Sequence, residues 1–252
     1  MTFAMFLPPP PSPDRVSFLK GWHYAHRGLH QGQAPLENSM GAFKAAIAQG
    51  NGIECDVRCS ADGIVYAFHD EMLDRLTDST GLFAHQDSLS LEALPLRGDN
   101  GVAPTLSALL RVVNGKVPLL IELKIDAGDT VDTLCRAVNK DLVAYEGPVA
   151  VMSFHPGVSR WFRTHASHVV RGLVVTETGE GGLRSSLTRH LVMRYAHPDF
   201  LAYDINDLPS RFAAKARAKG FPLLSWTVRT AEQWRTVEDE ADAPIYEDLN
   251  EK

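Results

Sequence analysis

Short runs that are apolar almost from end to end alternate along this chain with segments of helical period. Val117-Pro118-Leu119-Leu120-Ile121 and Pro222 to Val228 are two such runs. A strand with one wet face alternates apolar and polar residues, whereas one covered on both faces is apolar throughout. Between the runs, Leu106, Leu109, Leu110 and Val113 behind Thr105, and Val131, Leu134, Val138 and Leu142 behind Thr130, repeat at the spacing of a helix face. The alternation therefore requires a parallel sheet covered by helices. About eight strand–helix units in a chain of this length favour a closed (β/α)8 TIM barrel over an open doubly wound sheet. No G-x-G-x-x-G follows the first strand, His23 to His26, which weakens the open alternative further. One candidate strand is in excess. Either Ile64–Phe68 hairpins with Ile53–Cys59 across the Asp62-Gly63 turn, or Pro244–Tyr246 lies outside the barrel.

Residues 23–252 are expected to form one barrel domain behind an N-terminal arm, 1–22, whose Pro8-Pro9-Pro10-Pro11 suits a polyproline-II segment. Helical and strand periods both weaken over about 71–104, which reads as a small insertion after the third strand. The apolar start, Met1–Leu7, is too short to span a bilayer and lacks the basic region of a signal peptide. Three cysteines (Cys55, Cys59, Cys135) without a C-x-x-C make no disulfide framework and no structural zinc site. A net charge of −6 without a basic run points away from nucleic acid and toward a small-molecule site. The expected setting is the cytoplasm, with no stable membrane anchoring.

The chemistry gathers where strands end, which in a barrel is where active sites lie. In Ile53-Glu54-Cys55-Asp56-Val57 the period of a strand turns Glu54 and Asp56 to one face and Cys55 to the other. An exposed edge strand explains one such pair, but Glu122 and Lys124 repeat the pattern at the end of the next apolar run. Three carboxylates supply hard oxygen ligands for one divalent cation, Mg2+ or Ca2+. His26 and His69, also at strand ends, have the reference acidity for a general acid and base, and each also fits a core histidine bonded to a backbone carbonyl. Arg27 and Lys124 can offset charge on a transferred group such as a phosphodiester, or simply balance the acids. Asp70 is expected to orient a loop or His69. Trp226 reads as a packed wall and secondarily as a platform for an apolar substrate face. Ser153-Phe154-His155 marks another strand end. No G-x-S-x-G or H-E-x-x-H occurs, and Gly179, Gly181 and Gly182 lack the Lys-Ser/Thr of a P-loop.

Taken in order, His26-Arg27-Gly28, Glu37-Asn38-Ser39, Glu54-x-Asp56-Val57, His69-Asp70 and Glu122-x-Lys124 resemble the glycerophosphodiester phosphodiesterase family. The resemblance runs from about His23 to about Thr227. It implies a TIM barrel that hydrolyses glycerophosphodiesters to glycerol 3-phosphate and an alcohol. It also implies a divalent metal at Glu54, Asp56 and Glu122, His26 and His69 as acid and base, and an insertion after Asp70 that covers the mouth. The chain departs from the family pattern at Leu36, between Pro35 and Glu37, and at Arg229, where Asn is common. It departs again over Ile245-Tyr246-Glu247-Asp248-Leu249-Asn250, where Gly-x-x-Thr-Asp-x-Pro is usual. Two other readings of the same residues are a phospholipid-cleaving lyase that forms a cyclic phosphate, and a catalytically silent barrel that binds a phosphorylated ligand.

Overall fold

The computed structural model describes residues 7–30, 35–98, 101–126, 130–178 and 186–247. Met1–Phe6, the glycine-rich stretch Gly179–Gly182 and Asp248-Leu249-Asn250 lie outside the described residues. In chain order the main elements are α1 (Pro13–Val16), β1 (Tyr24–Ala25), α2 (Met40–Ala48), β2 (Gly52–Cys59), β3 (Val65–Ala67), α3 (Ser88–Glu92), α4 (Leu106–Val113) and β4 (Leu119–Leu123). They continue with α5 (Val131–Leu142), β5 (Val149–Ser153), α6 (Pro156–His165), β6 (Val170–Val175), α7 (Ser186–Ala196), β7 (Phe200–Asp204), α8 (Arg211–Ala218), β8 (Leu223–Val228), α9 (Ala231–Glu240) and β9 (Ala243–Tyr246). The strand order is β1-β9-β8-β7-β6-β5-β4-β2-β3, with β1 also paired to β2, which is the order of a (β/α)8 barrel. Among the described residues no helix is long and apolar enough to cross a membrane.

Contacts divide the chain into two compact units. The first comprises Ala25–Val149 with Glu247–Lys252. Here β2 runs parallel to β4 and antiparallel to β3, so the excess strand is the hairpin partner, Ile64–Phe68. Gly63, at φ +85°, makes the turn. Helix α2 starts where the Ser39 side chain accepts the Ala42 N–H, and α4 and α5 start at Thr105 and Thr130 in the same way. The insertion is less polar inside than its sequence suggests. Leu73, Leu76, Phe83, Leu91 and Leu96 pack with Tyr66, Phe68 and Leu36 into a core of their own, under single bridges such as Thr77–Leu96 and Pro95–Val102. Its apolar residues follow neither a long helix nor a strand because irregular backbone and two short helical turns carry them.

The second unit comprises Met1–Tyr24 with Ala150–Tyr246. Strands β6, β7, β8 and β9 follow one another in parallel, and helix α9 opens on the capping box of Thr230 and Gln233. Leu7 is buried with Phe221, Ala216 and Leu223. Arg15 reaches the carboxylate of Asp199 at 2.9 Å and the Val169 carbonyl at 2.8 Å. Helix α7 turns Arg189, His190 and Met193 inward and leaves Leu187 and Leu191 exposed. Two of its inner polar residues have partners nearby: Arg189 pairs with Glu177 at 2.9 Å, and His190 Nδ1 lies 2.6 Å from the Ser186 carbonyl.

Candidate active site

Glu54 and Asp56 stand on β2 and Glu122 on β4, and the parallel register sets Asp56 opposite Glu122. The strand period turns 54 and 56 to one face. One oxygen from each of the three carboxylates lies within 4.8 Å of the others, and all three side chains are buried. Like charges this close need compensation, and two cations supply part of it. Lys124 Nζ lies 2.9 Å from Asp56 Oδ1 and 2.6 Å from Glu122 Oε1. Arg27 Nε is 3.1 Å from Asp56 Oδ2.

The compensation is uneven. Burial alone would raise Asp56, but Lys124 and Arg27 hold its carboxyl well below the usual range. Glu54 goes the other way: burial, then Asp56 and Glu122, push it well above. Its Oε2 accepts the Arg27 backbone N–H at 3.0 Å, while its Oε1 is buried without a hydrogen-bond partner. A buried carboxylate oxygen without a partner, beside two more acids, calls for either a proton or a hard cation. The all-oxygen donor set fits Mg2+ or Ca2+. Cys55 is buried, and its thiol is raised by burial first and then by the neighbouring acids.

His26 follows β1. Its Nε2 lies 4.0 Å from Glu54 Oε2 and its Nδ1 2.6 Å from Glu247 Oε1. His69 follows β3, with Nδ1 2.8 Å from Asp70 Oδ1. Arg58 Nε donates to the His69 carbonyl at 2.8 Å, and the Arg58 guanidinium is itself paired with Asp126. Burial lowers His69 below the ordinary histidine value, with Asp56 opposing. The backbone that carries Arg27 is tightly constrained. Arg27 and Gly28 have φ +56° and +79°, and a Cβ on Gly28 would lie 2.9 Å from the Ala42 carbonyl carbon. Glycine lets this loop press against α2 while the Arg27 N–H meets Glu54.

A model of the glycerophosphoryl diester phosphodiesterase family matches residues 26–248. The chain belongs to this family. Glycerophosphodiester phosphodiesterase 1 of Bos taurus is 28% identical over 259 residues, covering 87% of this chain and 74% of the relative. The glycerophosphodiester phosphodiesterase of Caldanaerobacter subterraneus subsp. tengcongensis is 27% identical, over 89% of this chain and 93% of its own. In fold, the chain is similar to an Oleispira antarctica phosphodiesterase solved with the product sn-glycerol-3-phosphate. The TM-score is 0.81 at 24% identity, covering 92% of this chain and 94% of the other.

Within this phosphodiesterase-family chain, His26, Arg27, Glu54, Asp56, Glu122 and Lys124 come together, and Arg58 fastens His69 to β2. Asp70 Oδ1 is the hydrogen-bond partner of His69 Nδ1. Trp226 belongs to the second unit, where its indole N–H donates to the Ala202 carbonyl at 2.9 Å and its ring meets Phe154 edge-on. His155 caps α6, its Nδ1 accepting the Gly157 N–H at 3.2 Å. Four residues escape a reading of the sequence. The Asn38 side-chain amide donates to Asp56 Oδ2 at 3.0 Å and accepts the Asp56 N–H at 3.2 Å. Glu37 accepts from Arg27 at 2.7 Å, and Arg75 of the insertion binds both Glu37 and Asp70. Glu247 stands on His26. Asn38 and Glu37 sit in a motif that could have drawn attention to them; Arg75 and Glu247 carry no local signal.

Proposed function

We propose that this protein hydrolyses glycerophosphodiesters to glycerol 3-phosphate and an alcohol, with a divalent cation at Glu54, Asp56 and Glu122 and acid–base catalysis by His26 and His69. The observation that carries the reading is the buried carboxylate trio, with an unpartnered Glu54 oxygen and the His26 imidazole beside it. When bound, the cation supplies electrostatic stabilisation of substrate oxygens. The chain's own groups do the rest. One imidazole withdraws the proton of the attacking hydroxyl, from water or from the neighbouring glycerol oxygen, and the other protonates the departing alkoxide; where the glycerol oxygen attacks, water then opens the cyclic phosphate to glycerol 3-phosphate. The carboxylates on both Nδ1 atoms leave Nε2 of each ring for the substrate. Arg27 and Lys124 offset the charge that builds on the phosphoryl oxygens.

The test is release of glycerol 3-phosphate from glycerophosphocholine, glycerophosphoethanolamine and glycerophosphoglycerol, with and without EDTA. Release that EDTA abolishes and Mg2+ or Ca2+ restores is the expected result. In His26→Ala and His69→Ala, turnover should fall by roughly 10²–10⁴-fold with the fold intact by circular dichroism. A cyclic phosphate as the end product would replace hydrolysis with the lyase reaction. Ligand binding without turnover would replace it with a silent binding barrel.

A further inference from the structure

Glu247 stands immediately after β9, in the segment where the chain departs from its family's usual pattern. Its Oε1 lies 2.6 Å from Nδ1 of His26, a residue 221 positions earlier. Neither side chain is loose: His26 is 13% exposed and Glu247 14%. We infer that Glu247 is the positioning residue of His26, fixing both its ring orientation and its tautomer.

The argument is geometric. An ionised carboxylate can only accept at this distance, so Nδ1 carries the hydrogen and donates it. In the neutral ring that leaves Nε2 with its lone pair, and Nε2 is the nitrogen that faces Glu54 at 4.0 Å. An imidazole held at one nitrogen by a short charge-assisted bond does not flip, and its other nitrogen keeps one aim. The His69–Asp70 contact at 2.8 Å is the same device on the second ring. Asp70 adjoins its histidine in sequence and is legible there; Glu247 comes from the far end of the chain. Because Glu247 holds the imidazole at hydrogen-bond distance, its effect on turnover runs through that ring.

The inference rests on the acid–base role proposed for His26, and the experiment separates the two. Steady-state kinetics on glycerophosphocholine with saturating Mg2+ are compared for the wild type, Glu247→Ala, Glu247→Gln, His26→Ala and the His26→Ala/Glu247→Ala double variant. Glu247→Ala should lower kcat by about 10- to 100-fold with KM within about twofold. Mg2+ affinity by calorimetry should stay unchanged. Glu247→Gln, whose amide oxygen still accepts the Nδ1 hydrogen, should recover much of the loss. In the His26→Ala background the Glu247 effect should vanish. Nitrogen-15 spectra of the wild type should show His26 protonated at Nδ1. Full activity in Glu247→Ala, with His26→Ala inactive, would overturn the inference alone. An equal loss in both backgrounds would do the same by making Glu247 merely structural. Full activity in His26→Ala would instead overturn the acid–base reading beneath it.

Discussion

Arg75 grips Glu37 at two points, Nη1 to Oε2 at 2.8 Å and Nη2 to Oε1 at 2.7 Å. It grips Asp70 at two points as well, through Nε at 2.6 Å and Nη2 at 2.8 Å. Glu37 in turn binds Arg27, and Asp70 binds His69. One half-exposed arginine of the insertion therefore ties together the loops that carry a proposed phosphate ligand and a proposed acid–base group.

Replacing Arg75 by Ala should cost about 1–2 kcal/mol of stability, because two part-buried carboxylates lose a shared fork. It should also lower kcat. Arg75→Lys should rescue little of either, since an ammonium cannot make both planar two-point contacts. Urea unfolding alongside turnover of glycerophosphocholine checks this; a lysine variant equal to wild type would show that charge alone suffices.

Lys124 is the ammonium between Asp56 and Glu122. Lys124→Met leaves two buried carboxylates short of a cation and should destabilise the EDTA-treated protein by roughly 3–5 kcal/mol. Added Mg2+ or Ca2+ should then raise the melting temperature more in the variant than in the wild type. Differential scanning fluorimetry across a cation titration reads the difference.

Asp70 gives a pH-dependent term. Burial opposes its ionisation, but hydrogen bonds from Arg75 and His69 bring it down to about 2 from 3.8. As pH falls below about 4 the unfolded chain takes up this proton before the folded one does. The contribution is thus complete above the unfolded value and is lost as pH falls through about 2. Asp70→Asn should be less stable than wild type at about pH 5 by an amount of the order of 1 kcal/mol after solvent screening. The gap should narrow steadily toward about pH 2.5 in urea titrations.

In the second unit, Gly172 on β6 is paired with Phe200 on β7, and the phenyl ring occupies the space a Cβ would need. Gly172→Ala should destabilise by about 1–3 kcal/mol through overpacking. Phe200→Leu should be milder in the Gly172→Ala background than in the wild type, because the shorter side chain makes room for the added methyl. A double-mutant cycle in urea measures the coupling.

Why some of this is legible in the sequence and some is not follows from the range of each interaction. The common face of Glu54 and Asp56 is a property of one strand, and Glu122 with Lys124 repeats it, so spacing alone announces the acidic trio. The hairpin of β2 and β3 is visible as one of two options, since the Asp62-Gly63 turn is local. The role of Arg75 is not local: its partners lie 38 and 5 residues away on different loops. Helix α7 is opaque for another reason: its leucines at 187 and 191 lie outside, and the buried positions fall to Arg189, His190 and Met193, with Glu177 and the Ser186 carbonyl as polar partners. The insertion hides its core because its leucines obey no regular period.

The contact between residues 26 and 247 also bears on when a newly made molecule becomes competent. Every acid of the trio has left the ribosome once residue 122 emerges, yet the first imidazole must wait for all the later strands before its carboxylate exists. On a translating ribosome the carboxylate beside the first imidazole is thus made last, after every acid of the trio, and a chain stalled short of its final strand would lack it.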